Sequence, residues 1–207
     1  MERLKRVLIL FLCFLMVFSP YTNTAYALED GMDKENELPV VITEVYPNDK
    51  SNRHIDGAGE NDLYEFIEIY NNTNEEINFN DTYKVRYDYI SNVKDLNVAP
   101  IVDGEEVVIP ANTPAVLWIE RTSSKITGAA KELTVDDFRA YHNIPDDVPV
   151  YMLQGQDGLN NVDRGFLITD KDNNEKIINH VHYSSEDVGD GLSLQTKVPR
   201  QGTTLDT

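Results

Sequence analysis

Residues 61–72 read Asn-Asp-Leu-Tyr-Glu-Phe-Ile-Glu-Ile-Tyr-Asn-Asn, and this stretch decides the fold. Its aromatic and β-branched residues favour a strand over residues 64–70. Alternate residues of a strand share a face, so each face of this strand carries a carboxylate, Glu65 or Glu68, among apolar side chains. We therefore predict a central strand that is buried on both faces and has a carboxylate near its rim.

Short apolar runs of the same kind recur along the chain, and each is ended by turn residues. Between the later runs, Thr134 is a good N-cap for one short crossover helix. Residues 49–62 are predicted to be a mobile loop with few apolar anchors, and residues 92–100 a second loop. The pattern indicates an all-β fold, an immunoglobulin-like β-sandwich with one short crossover helix. The predicted strands cover residues 40–46, 64–70, 75–80, 84–90, 106–109, 115–119, 148–153, 164–169 and 176–183.

The first 27 residues have the features of a secretory signal peptide. Three basic residues precede an apolar run over residues 7–18, which is too short to cross a hydrocarbon core of about 30 Å. Ala25-Tyr26-Ala27 matches the small-x-small pattern and places signal cleavage after Ala27. We therefore expect Sec-dependent export, an extracellular location and no stable membrane anchor after cleavage. A retained signal anchor is the alternative.

Composition restricts the remaining chemistry. Cys13 is the only cysteine and lies in the leader, so the exported part depends on its hydrophobic core and has no thiolate for zinc or nucleophilic catalysis. The formal net charge of −18 repels phosphate backbones, which argues against direct nucleic-acid binding. We predict a flexible lead-in at residues 28–38, one domain at 39–184, and at 185–207 a polar tail or a linker to a further domain.

Two motifs, Ile42-Thr43-Glu44-Val45 and Glu65-Phe66-Ile67-Glu68-Ile69-Tyr70-Asn71, carry a family resemblance. With the apolar strand ending at Trp118 and a closing hairpin at 170–175, they resemble the lamin-tail domain, an immunoglobulin-like sandwich, over residues 38–183. More narrowly, the chain is similar to the N-terminal module of large exported metallophosphoesterases of Gram-positive bacteria.

That resemblance implies a non-catalytic extracellular module that binds or positions, without catalytic residues or a cofactor of its own. Its partner would be an unknown protein or a cell-surface ligand. The alternative is a fragment of a secreted metallophosphoesterase or nucleotide hydrolase whose catalytic domain lies outside this chain. The Asp-x-His and Gly-Asn-His motifs of such a domain do not occur in the sequence.

His180-Val181-His182 is a candidate metal motif, because residues i and i+2 of a strand share a face. No spacing identifies a third ligand. The favoured interpretation is therefore two polar positions on the solvent side of a strand, with Val181 pointing inward, and no metal site. A metal-dependent hydrolase using both histidines is the alternative.

Asp170, Asp172 and Asn174 begin like a calcium-binding loop. Glu175 stands where an EF-hand requires glycine, which excludes that motif. A looser calcium site is one possibility, and a turn in which Asp and Asn bond their own backbone is the favoured one.

Three further sets of residues have a structural and a functional interpretation. Glu44, Glu65 and Glu68 are close enough in the predicted sheet to meet, with hydrogen bonds to a loop backbone at the rim as the favoured role. Trp118 is predicted to be in the core. The set Tyr83, Tyr87 and Tyr89 is predicted to face the core instead of forming an exposed aromatic strip.

Overall fold

The computed structural model describes residues 38–196, so the predicted leader, the cleavage site at Ala27 and residues 28–37 and 197–207 lie outside the described part. Eleven strands and two short helices occur in the described residues, together with 3-10 turns at Ser51–Arg53 and Gly128–Lys131. The helices are α1 (Phe79–Thr82) and α2 (Val135–His142). The strands are β1 (Val40–Tyr46), β2 (Phe66–Asn71), β3 (Ile77–Asn78), β4 (Tyr83–Asp88), β5 (Val93–Ala99), β6 (Val108–Ile109), β7 (Pro114–Ile119), β8 (Val150–Gln154), β9 (Arg164–Asp170), β10 (Ile177–Tyr183) and β11 (Leu194–Gln195).

The predicted all-β class is confirmed, and nine of the strands form one continuous sheet in the order β10-β9-β4-β5-β8-β7-β2-β1-β11. Neighbours are antiparallel except β7 and β8, which are parallel. The sheet curls until β10 approaches β1, where the Ile42 backbone N–H donates to Asn179 Oδ1 at 2.8 Å. The result is a nearly closed, barrel-like sheet, with β5 joining its two halves through pairing with both β4 and β8.

The central position predicted for residues 64–70 is confirmed, since β2 pairs with β1 on one side and β7 on the other. Ile67 and Ile69 are fully buried in the inner core. On the opposite face, Tyr64 and Phe66 belong to a second apolar cluster that lies between the sheet and α2. Both faces of β2 are therefore covered by apolar side chains, as its mixed pattern predicts.

Parallel strands need a long connection, and residues 120–149 supply it between β7 and β8. The predicted N-cap of α2 is confirmed: Thr134 Oγ1 accepts from the Asp137 N–H at 3.2 Å, and Asp137 Oδ2 accepts from the Thr134 N–H at 2.9 Å. Phe138 is fully buried and stacks on Trp118, with ring centroids 4.7 Å apart. The helix thus both crosses over and covers the outer face of the sheet, and Trp118 is in the core as predicted.

Two segments predicted to lack strands contain them. Residues 92–100 were predicted as a loop, which is wrong, because β5 lies there with only Leu96 and Val98 buried and too few apolar positions for a pattern. Residues 185–207, predicted to be a polar tail or linker, also contain a strand, since Leu194–Gln195 pairs with β1 through two residue pairs.

The loop at residues 49–62 has more anchors than its sequence indicates. Ala58 and Ser51 are fully buried, and Asp49 is 2% exposed. Asp49 Oδ1 accepts from the Ser51 N–H at 2.6 Å, and Ser51 Oγ accepts from the Leu63 N–H at 2.6 Å. Buried polar side chains therefore replace the apolar anchors that the sequence lacks here.

No helix within residues 38–196 has both the length and the apolar character needed to cross a membrane.

Candidate functional site

The two histidines of β10 lie where the favoured interpretation places them. His180 and His182 are exposed, and Val181 between them is buried in the inner core. His180 Nε2 lies 3.4 Å from Oδ2 of Asp88, the last residue of β4. Within residues 38–196, no three His, Cys, Asp or Glu side chains are grouped in a way that could hold a metal ion.

The acidic turn between β9 and β10 is held by its own groups, as the favoured interpretation of that sequence predicts. Asp170 Oδ2 lies 2.9 Å from Lys176 Nζ, and its Oδ1 accepts from the Asp172 N–H at 3.1 Å. These contacts, the Lys176 side chain first, lower the pKa of Asp170. Asn174 contributes its carbonyl oxygen, to Arg86 Nη1 at 3.5 Å. Asp170 thus bonds to the backbone of its own turn and to the Lys176 side chain.

Glu65 forms a buried ion pair with Arg121. The Glu65 side chain is 1% exposed and its Oε2 lies 2.6 Å from Arg121 Nη2. The same oxygen accepts from the Leu159 N–H at 2.7 Å, so the predicted bond to a loop backbone at the rim is confirmed. Burial raises the pKa of Glu65, and the Arg121 guanidinium opposes that rise. Gly158 is required here, because its φ is +81° and a Cβ would overlap the guanidinium.

Arg121 also joins separate loops. Its Nε donates to the Asp62 carbonyl at 2.6 Å, and its Nη1 donates to the Asp157 carbonyl at 3.0 Å. Sequence reasoning missed Arg121, because nothing in the spacing from β7 shows that it turns back over Glu65. With these bonds the pair fixes the rim of the sheet, which is a structural role.

The three glutamates considered together in the sequence separate onto two faces. Glu44 and Glu68 are direct partners in the β1–β2 pairing, beside a bulge between Ile42 and Glu44. Glu65 Oε2 is instead bonded to Arg121 and Leu159. Thr43 Oγ1 donates to Glu68 Oε1 at 2.6 Å. Burial raises the pKa of Glu68, the Thr43 bond opposes this, and the Glu44 carboxylate adds to it.

Glu44 and Glu68 line a cleft of about 320 Å³ on the outside of the sheet, which we call the outer cleft. Strands β1, β2 and β7 form one side, and the end of α2 with the segment after it forms the other. This volume lies at the small end of the range for ligand sites. The lining residues are Glu44, Tyr46, Phe66, Glu68, Val116, His142, Asn143, Ile144, Pro145 and Val148.

Aromatic contacts connect the two walls of the outer cleft. The Tyr46 and Phe66 ring centroids are 5.4 Å apart, and the His142 ring meets both edge-on at 5.2 and 4.8 Å. His142 Nε2 lies 2.9 Å from the Tyr64 carbonyl, and since a carbonyl only accepts, Nε2 carries the proton. Burial lowers the pKa of His142. The imidazole is therefore neutral near pH 7.

The wall formed by the end of α2 and the segment after it is held in place by Arg139. Its Nη1 donates to the Pro145 carbonyl at 2.8 Å and its Nη2 to the Val148 carbonyl at 2.9 Å. Asn143 ends the helix in the left-handed conformation, with φ 55°. The segment that closes the cleft is thereby tied to the helix.

A second cavity, of about 330 Å³, lies beside Trp118 and Arg121 under residues 120–133. Its lining includes Leu63, Ile126 and Met152. The Arg121 guanidinium is committed to Glu65 and two carbonyls. The cavity lining also includes the polar side chains of Glu120, Thr122, Ser123 and Lys131.

The tyrosines of β4 face the core, as predicted. Tyr87 is fully buried and its hydroxyl lies 3.1 Å from that of Tyr183. Tyr83 and Tyr89 are partly buried and pack against the same inner core.

Comparison with known proteins gives one distant relative and no family. No family model matches the chain. The chain is 28% identical over 166 residues to the uncharacterized protein YvnB of Bacillus subtilis strain 168. That alignment covers 79% of this chain and 12% of YvnB, so the chain spans a small fraction of the length of the curated relative it matches.

Proposed function

We propose that this chain is a non-catalytic extracellular module that binds or positions, working as the N-terminal part of a larger secreted protein. The observation that supports a module within a larger protein is the alignment with YvnB, in which 166 residues similar to most of this chain make up 12% of the relative. A stretch of that size within a long polypeptide is the expected arrangement for a single domain among several. The signal-peptide features of the first 27 residues support export.

We further propose that the fold is the immunoglobulin-like sandwich of the lamin-tail type. The two halves of the curled sheet enclose one core, to which β2 contributes Ile67 and Ile69 and β9 contributes Phe166 and Ile168. This arrangement supports a sandwich whose two layers remain joined through β5.

Two buried ionisable groups have structural contacts that suit a binding or positioning module. Glu65 Oε2 is bonded to Arg121 and to the Leu159 N–H, and the His142 Nε2–H donates to the Tyr64 carbonyl. These bonds hold loops and the end of a helix in place.

Export and hydrolysis assays test the proposal. The full chain, produced in an export-competent Gram-positive host, is expected in the medium with Leu28 as its first residue. With added zinc or manganese, hydrolysis of a phosphodiester substrate is expected to stay at the level of the His180→Ala/His182→Ala variant. Retention of the product in the cells, or turnover that the double variant abolishes, would contradict the proposal.

A further inference from the structure

We propose that the outer cleft binds the lysine side chain of a polypeptide partner, with the ammonium group between Glu44 and Glu68. This inference rests on the proposed function as a binding module and names the chemistry of its ligand. Three features of the cleft support it: its charge, its apolar walls and the hydrogen bond already made by Glu68.

The charge of the outer cleft is negative and unbalanced. Glu44 and Glu68 are directly opposite each other on adjacent strands, an arrangement of like charges that is unfavourable until a cation lies between them. Among the described lining residues none is Lys or Arg. The Arg139 guanidinium nearby is bonded to the Pro145 and Val148 carbonyls. A cationic group therefore gains attraction from two carboxylates.

The remaining walls suit an aliphatic stem. Phe66, Val116, Ile144 and Val148 line the cleft, and the methylene groups of lysine bury well against such surfaces. Tyr46, two residues after Glu44 on β1, adds an aromatic ring to the lining, and aromatic rings attract cations. At about 320 Å³ the cleft accommodates one extended side chain and not a folded surface.

The bond from Thr43 favours an ammonium over a guanidinium. Arginine binds a carboxylate best through both oxygens, but Glu68 Oε1 already accepts from Thr43 Oγ1 at 2.6 Å. An ammonium has three separately directed donors and can take one oxygen from each of two carboxylates. We therefore expect a lysine side chain to bind more tightly than an arginine side chain.

Amide chemical-shift titration of the full chain tests the proposal, with Nα-acetyl-lysine methylamide as the probe. We expect shifts at residues 44, 46, 66, 68 and 116 and a dissociation constant in the millimolar range. The Nε-acetylated analogue, which lacks the charge, should bind about tenfold more weakly, the factor that corresponds to loss of about 1.4 kcal/mol. The arginine analogue should also bind more weakly than the lysine probe. A short peptide with one central lysine should bind at least as tightly as the amide.

Matched variants locate the effect. Glu44→Gln/Glu68→Gln should weaken binding of the lysine probe about tenfold or more, because charged hydrogen bonds are lost. Glu75→Gln/Glu76→Gln, which also removes two negative charges but from exposed sites, should leave binding within about twofold, since distant exposed charges are screened. Trp118 fluorescence checks that the double variant is folded, and if it is not, Glu44→Gln alone replaces it.

Several results would overturn the proposal. Equal binding of the neutral analogue removes the role of charge, and equal binding of the arginine analogue removes the preference for an ammonium. Calcium producing the same shifts with higher affinity identifies a divalent-cation site, and putrescine binding more tightly than the peptide identifies a free polyamine. None of these results affects the export and hydrolysis tests, so the two proposals fail separately.

Discussion

Replacing Arg121 by Met is expected to be among the most damaging single changes in the described fold. The substitution keeps much of the aliphatic side chain and removes the cation that lies 2.6 Å from Glu65 Oε2. Removing one partner of a buried ion pair costs about 3–5 kcal/mol, since the remaining charge is buried without compensation. Against a typical total of about 5–15 kcal/mol, that is a large share of the stability.

The loss of unfolding free energy in Arg121→Met should depend on pH in a defined direction. Burial raises the pKa of Glu65 and Arg121 opposes this, so the pKa rises further in Arg121→Met. A carboxyl whose folded pKa exceeds its unfolded value, about 4.3, binds its proton more tightly in the folded state. The variant therefore loses stability as pH rises from the unfolded value to the folded pKa. Relative to the parent, its deficit is greatest above that pKa and shrinks on acidification.

Urea unfolding followed by Trp118 fluorescence measures this effect, because the only tryptophan is 7% exposed and its Nε1 donates to the Leu63 carbonyl. Glu65→Gln is the matched control: its amide oxygen still accepts hydrogen bonds, so its cost should be smaller and should lack the acid-side recovery. The Arg121→Met/Glu65→Gln double variant should lose less stability than the sum of the two single losses. A cost of Arg121→Met below about 1 kcal/mol, or a deficit that grows on acidification, would refute the reasoning.

Three further predictions concern local geometry. Thr134→Ala should cost about 1 kcal/mol in urea unfolding because the helix loses its capping box, whereas Thr134→Ser should cost much less. Gly57 and Gly104 share φ +86°, but a Cβ at Gly57 would overlap the Thr127 carbonyl while one at Gly104 meets nothing. Gly57→Ala should therefore cost about 1–3 kcal/mol more than Gly104→Ala, and equal losses would contradict the packing described. Millimolar calcium should leave the melting temperature unchanged, because Asp170 is already bonded to a lysine and its own turn; a rise would indicate a bound ion.

The strands were predictable where their burial is reflected in the local pattern of apolar residues. Residues 64–70 have apolar groups on both sides, and β2 is covered on both sides. β5 was missed because Val93, Lys94 and Asp95 are exposed and break the alternation. The curl of the sheet was not predictable, since the contact between Ile42 and Asn179 spans 137 residues and depends on one side-chain amide.

The outer cleft was predictable only in part. The sequence places Glu44 and Glu68 on neighbouring strands, and the structure brings them together. The other wall comes from His142 and the residues after it, which reach the sheet only because the crossover returns over β2. No residue spacing in the sequence indicates that the crossover returns over β2. Arg121 could likewise not be identified from the sequence, because its acceptors lie in two parts of the chain, residues 62–65 and residue 157, that are at least 36 residues away from it.

The pairing of β1 with β11 has a mechanical consequence. Strand β11 runs antiparallel to β1, and the Thr196 N–H donates to the Thr43 carbonyl at 2.9 Å. The start of the first described strand and the end of the last one therefore lie on the same side of the sheet. Tension applied between the start of β1 and the end of β11 would break the few hydrogen bonds between these strands one after another, instead of loading all of them at once in shear. Under stretching, β11 would separate from β1 first and increase the end-to-end length of the domain, while the nearly closed sheet keeps its shape.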